Sequence, residues 1–214
     1  PIDLHQTLME VISHFGKFKG LGKNKNKRQI ILCHTSREVG EYLTSLRLRH
    51  NGNYCRLPHF VIGRDGKIIQ LLSTNSISNF FGNEILNKEG IIISLENLGW
   101  LTRKPLSSYH LNWIGNIYKQ EVYEKRWRDY GLWQPYTDVQ VDKTTELCKW
   151  LCDEHKIPRK FVGHNTKIEG IELFSGVCSR SNFNQRFTDL SPAFDFNNFK
   201  KIFEYEQFDE RKIR

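Results

Sequence analysis

Gln29-Ile30-Ile31-Leu32-Cys33-His34-Thr35 is the stretch around which the rest of the chain organises. An apolar run of this length suits a short buried strand, and it ends on a histidine. Strand ends hold a side chain on rigid backbone while letting it face a cleft. Two later islands share that layout: Phe161-Val162-Gly163-His164, and Thr188-Asp189-Leu190-Ser191-Pro192-Ala193-Phe194. Each sets a possible metal ligand at the end of an apolar run or in a turn. Two imidazoles and one carboxylate leave a fourth zinc position open for water. If the three islands meet in space, metal-assisted hydrolysis is the expected chemistry.

Around these islands the chain alternates helical and strand patterns. Residues 4–15 place Leu4, Leu8, Val11, Ile12 and Phe15 at helical spacing. Residues 16–28 read as a solvated, lysine-rich linker. After the first strand, Ser36 is expected to cap a helix whose inner face is Val39, Tyr42, Leu43 and Leu46. Gly63-Arg64-Asp65-Gly66 between two apolar runs signals a hairpin. Residues 91–97 form another strand. Residues 100–135 show no simple period and read as an aromatic and basic insertion, with a short helix expected at 120–127. Thr137 or Asp138 caps a helix to His155, ended by Pro158. A short strand over 160–163 leads to His164, and a closing helix is expected over 196–205. The fold class is α/β, a mixed central β-sheet flanked by helices in one domain over 1–214.

The chain has 214 residues, 38% of them hydrophobic and 13% aromatic, enough for one packed domain. A net charge of +8 favours an anionic partner: nucleic acid, an acidic membrane or a cell-wall polymer. No apolar run reaches the length of a membrane span, so no membrane insertion is expected. The first residues lack a charged segment followed by an apolar one, so no retained secretory signal is expected. Five cysteines without C-x-x-C spacing point to free thiols.

Six words in order sharpen the reading: Ile31-Leu32-Cys33-His34-Thr35-Ser36, Pro58-His59-Phe60-Val61-Ile62-Gly63-Arg64-Asp65-Gly66, Ile91-Ile92-Ile93-Ser94-Leu95-Glu96-Asn97, Tyr136-Thr137-Asp138-Val139-Gln140, Val162-Gly163-His164, and the 188–196 segment. With them the chain resembles the zinc-dependent N-acetylmuramoyl-L-alanine amidases of the amidase-2 type, the superfamily that includes the peptidoglycan-recognition proteins. The resemblance implies a Zn2+ cofactor held by His34, His164 and Asp189. It also implies hydrolysis of the amide between N-acetylmuramic acid and L-alanine, on peptidoglycan or muropeptides.

Two departures from that family stand out. His164 and Asp189 are 25 positions apart, longer than the family's usual spacing. A shorter-loop alignment puts Ser179 or Arg180 where the second histidine belongs. Arginine stays protonated and does not ligate zinc, so His164 is preferred and residues 167–185 are read as a loop insertion. The family's glutamate base falls at Ser94, which leaves Glu96 as the proposed base. Arg180 and Arg186 are the candidates to stabilise the oxyanion. His59, Ser94, Asn97 and Trp100 are the candidate substrate contacts, with strand-filling the competing role for His59.

The expected activity is that of a monomeric amidase acting on the bacterial wall, in the periplasm or outside the cell after delivery. The alternative is a peptidoglycan-binding module of the same fold without turnover. A nucleic-acid-binding domain is disfavoured, because no recognised motif accompanies the charge.

Overall fold

A run of Ile and Leu that must be covered on both faces finds its place at the centre of a sheet. In the computed structural model, which describes residues 11–14, 18–163 and 166–208, β3 (Gln29–His34) is buried at every position. The other strands of its sheet are β1 (Val11–Ser13), β4 (Phe60–Ile62), β5 (Ile68–Gln70), β7 (Gly90–Leu95), β13 (Lys160–Phe161), β14 (Gly176–Ser179) and β15 (Glu204–Tyr205). Their order is β1-β5-β4-β7-β3-β14-β13-β15. All neighbouring pairs are parallel except the β4–β5 hairpin. The mixed sheet and the Asp-Gly hairpin are as expected from sequence.

Strand parity sorts the core. Ile30, Leu32, Ile91, Ile93 and Leu95 face α3 (Asp138–His155), meeting Val141, Leu147, Cys148, Leu151 and Cys152. Ile31, Cys33 and Ile92 face the opposite way, toward Leu86 of α2 (Glu84–Glu89) and Phe174. On that side α1 (Val39–Leu48) packs Tyr42, Leu43 and Leu46 on Val61 and Leu71. Burying each such Leu contributes roughly 1.5–3 kcal/mol. Thr137 caps α3 by accepting the Gln140 N–H, and Lys156 closes it in a left-handed conformation. All five cysteines are free thiols.

Several sequence expectations are corrected. Val11–Ser13 is a strand paired with β5, not part of a helix; residues 4–10 and 15 lie outside the described residues. Ser36 does not cap α1: the cap position is Glu38, without a side-chain bond, and Ser36 adopts a positive φ of 57°. The linker is partly structured. β2 (Gly22–Lys23) pairs with β6 (Ser76–Ile77), and Lys27 is buried with its Nζ donating to the carbonyls of Ser76, Lys88 and Gly90. Residues 196–205 form a short 3-10 turn, Phe199–Lys201, followed by β15 rather than a helix. The 167–185 segment carries β14, which lies directly beside β3 in the main sheet.

The aromatic insertion folds into a second, antiparallel sheet of β8 (Trp100–Arg103), β9 (His110–Leu111), β10 (Ile117–Tyr118), β11 (Tyr123–Trp127) and β12 (Tyr130–Trp133), in the order β10-β9-β8-β12-β11. The expected helix at 120–127 is strand β11. Leu98, Leu101, Tyr118 and Leu132 form a small core for this sheet. Trp133 is fully buried beside the rings of Trp127 and Tyr130.

Candidate active site

His34 ends β3 and is 6% exposed. Ser36 turns the chain immediately beyond it and sets its Oγ 2.9 Å from His34 Nδ1. The other ring nitrogen, Nε2, is buried without a hydrogen-bond partner among the described residues. Burial lowers the His34 pKa to about 4, with Asp189 opposing the shift and Arg180 adding to it. The imidazole is therefore neutral near pH 7.

Asp189 is completely buried beside it. Its Oδ2 accepts the His34 backbone N–H at 3.1 Å. Its carboxylate is also held by Arg180, whose Nε lies 2.9 Å from Oδ1 and 2.8 Å from Oδ2. Arg180 reaches this point because β14 runs parallel to β3, with Ser179 beside Leu32. A capping box between Ser179 and Asn182 then fixes the turn that carries it. The guanidinium lies 4.6 Å from the Phe187 ring centroid and 5.7 Å from that of Phe80. Burial, the largest single effect, lowers the Arg180 pKa, but the charge and hydrogen bond of Asp189, with Cys33 and Tyr42, together outweigh it and the net shift is upward.

His34 and Asp189, two of the three expected ligands, are thus brought together. His164 lies outside the described residues. The strand that precedes it, β13, is separated from β3 by β14. Among the described residues no group of three or more His, Cys, Asp or Glu side chains could hold a metal ion.

The other candidates fall elsewhere. Glu96 accepts the Val39 N–H through Oε1 at 2.9 Å and the Arg64 N–H through Oε2 at 2.8 Å, tying the start of α1 to the β4–β5 turn. Ser94 is fully buried, with Oγ 3.0 Å from Cys33 Sγ. His59 is fully buried between the Ile92 N–H and the Ser76 carbonyl. Asn97 bonds the Gln134 carbonyl and the Gly99 N–H. Trp100 stacks on Tyr130 at 4.5 Å. Arg186 is exposed. Of the proposed catalytic and substrate residues, Arg180 bonds directly to Asp189.

A cavity of about 200 Å³ opens beside this trio, lined by His34, Ser36, Arg49, Tyr54, Arg56 and Arg180 among others. The insertion contacts the neighbouring loops at two points. Trp113 donates its Nε1–H to the Ser36 carbonyl at 2.6 Å and lies under Arg37. Arg128, from the β11–β12 turn, reaches the carbonyls of Ser181 and Asn184. Ser36 as a partner of His34, and the rim of Arg49 and Arg56, escaped the sequence reading, because only the fold brings them together.

Residues 23–176 match the family model described as N-acetylmuramoyl-L-alanine amidase. The chain belongs to that family. The matched span includes His34, Glu96 and His164 and stops short of Arg180 and Asp189. No curated protein matches the chain. Among solved structures the amidase fold recurs in AmpDh3 of Pseudomonas aeruginosa, at a TM-score of 0.56 and 13% identity over 92% of this chain and 68% of that one. The endolysine amidase LysCS of Clostridium intestinale gives 0.54 at 13% identity, covering 89% and 93%. AmiD of E. coli, solved with an anhydro-N-acetylmuramic acid peptide, gives 0.52 at 16% identity, covering 90% and 63%. Among the described residues of this amidase-family chain, no helix is long and apolar enough to cross a membrane.

Proposed function

We propose that this chain acts as a monomer on peptidoglycan of the bacterial wall. Its target would be the amide that joins N-acetylmuramic acid to the L-alanine of the peptide stem. The observation that carries the reading is the convergence of His34, Asp189 and Arg180 at the C-terminal edge of β3 and β14, in a chain whose family acts on that bond. Trp113 and Arg128 border the same edge and supply flat and cationic surface for a sugar and a carboxylated peptide.

A zinc ion held by His34, His164 and Asp189 would polarise the amide carbonyl and acidify a water. The described residues do not fit that ion. The carboxylate donor is already paired through both oxygens with a permanent cation. No step is therefore routed through a metal. The Arg180 guanidinium can hold a carbonyl or carboxylate oxygen of the ligand. His34, neutral and with Nε2 unpartnered, can hydrogen-bond a second polar atom.

The Arg180–Asp189 pair, together with the full engagement of Glu96, favours a second reading: binding at this junction without turnover. Incubation with purified muropeptides, with and without added zinc, separates the two. Free stem peptide detected by mass spectrometry supports hydrolysis. Co-sedimentation with intact wall and no released peptide supports the binding module. Neither release nor wall binding would overturn the peptidoglycan reading altogether.

A further inference from the structure

We propose that Arg180 is the resident cation of this site, standing where a divalent ion would otherwise sit, so that the cavity takes a carboxylate-bearing ligand without any metal. The assignment of a muramoyl peptide as that ligand rests on the function proposed above; the replacement of the metal does not.

The pairing begins in the sheet order. β14 is the parallel neighbour of β3, so the residue that follows β14 is delivered next to the residue that ends β3. That residue is an arginine. Its Nε contacts both oxygens of Asp189, and Asp189 in turn holds the His34 backbone N–H. A carboxylate that is 0% exposed needs a compensating cation. The guanidinium supplies one full charge at 2.8–2.9 Å and cannot be titrated away at ordinary pH. Phe187 and Phe80 lie near its planar group and fix its orientation.

A zinc ion bound to Asp189 would have to share that carboxylate with the guanidinium, placing a divalent cation within a few ångströms of a fixed positive charge. Expelling Arg180 would strand a guanidinium whose charge-assisted bond and ring contacts are all at this spot. The arrangement is complete without an ion.

The same geometry specifies the ligand. Among the described residues only Nε of Arg180 donates to a protein acceptor, and Arg180 lines the cavity. The two Nη groups remain for a ligand, and a guanidinium fork matches a carboxylate. Arg49 and Arg56 line the same cavity and extend its positive character. His34 offers its buried Nε2, which has no partner among the described residues.

The test has two independent arms. Wild-type protein is incubated with excess zinc, desalted and analysed for metal; the expected content is below about 0.1 ion per chain, with a melting temperature unmoved by EDTA. About one zinc per chain surviving desalting would overturn the replacement. Calorimetric titration with N-acetylmuramoyl-L-alanyl-D-isoglutamine then reads the ligand. Affinity unchanged by EDTA, and weakened about tenfold or more in Arg180→Lys, is expected. Because a lone substitution leaves Asp189 without its Nε–H partner, the charge-balanced Arg180→Met/Asp189→Asn double variant is measured too, with its melting temperature. A folded double variant that binds as tightly as wild type would overturn the assignment of Arg180 to the ligand. A metal-free wild type that ignores this probe would sink the muramoyl-peptide reading while leaving the replacement intact.

Discussion

Gly99 lies against the His34 imidazole: a methyl group built on Gly99 would sit 2.9 Å from Cε1 and 3.2 Å from Nε2. Its φ of +78° is also a conformation that L side chains rarely adopt. Gly99→Ala combines backbone strain with displacement of the ring, at a cost of roughly 1–3 kcal/mol. The expected result in urea unfolding is a lower midpoint, together with weaker binding of muropeptide as His34 moves. An unchanged midpoint and unchanged binding would mean that the ring is not held by this contact.

Glu96 distinguishes a base from a brace. Both of its oxygens serve backbone N–H groups of Val39 and Arg64, so Glu96→Ala leaves two donors without partners, at about 1–3 kcal/mol each if they stay dry. Glu96→Gln keeps one oxygen and is expected to lose about half as much. Thermal unfolding of the two variants should rank wild type, Gln, Ala. A base would behave differently: the Gln variant would keep its stability while any hydrolysis lost its pH dependence.

Acid stability reports on His59. Nδ1 accepts the Ile92 N–H at 3.0 Å, so the proton sits on Nε2 and is donated to the Ser76 carbonyl. Burial, aided by the Lys27 charge, lowers the pKa from 6.5 to about 3. As pH falls below 6.5 the unfolded imidazole takes up a proton while the folded one does not. The unfolded chain then binds more protons, and stability present above pH 6.5 is lost on acidification, by up to about 1.4 kcal/mol per pH unit from this group, until about pH 3. His34 acts in the same direction, so the readout is a difference. His59→Asn should show a shallower fall in unfolding free energy between pH 7 and 4.5 than wild type. Parallel curves would remove His59 from the account.

Much of the fold was legible because its central strands are uniformly apolar. Ile30 to Cys33 and Ile91 to Ile93 admit few alternatives, and the Asp65-Gly66 turn fixed one hairpin. What escaped detection was short or half-exposed. Tyr123 to Arg126 is exposed along its length, so no alternation marks it as strand. Gly176-Val177-Cys178-Ser179 spans four residues, and only its place between β3 and β13 buries it. That missed strand also hid the Arg180–Asp189 pair. The sequence offers Arg180 as an oxyanion candidate, but only β14 lying beside β3 sets it against Asp189. His34 and Asp189 were found from the words around them. Glu96 and His59 occupy motif positions, yet their hydrogen bonds serve the backbone.

Trp113 tests whether the insertion belongs to the site or only covers it. Its indole is 42% exposed, and it is anchored by the Nε1 bond to the Ser36 carbonyl and by Arg37 above the ring at 5.0 Å. Little apolar area is buried there, so Trp113→Ala should change stability by no more than about 1 kcal/mol. Trp133, fully buried in the same insertion, provides the contrast, and Trp133→Ala should cost about 3–5 kcal/mol. If the insertion forms a wall of the cleft, Trp113→Ala lowers muropeptide affinity several-fold while the melting temperature stays near wild type. Full affinity in Trp113→Ala would confine recognition to the trio of His34, Arg180 and Asp189, and leave the second sheet a purely structural attachment.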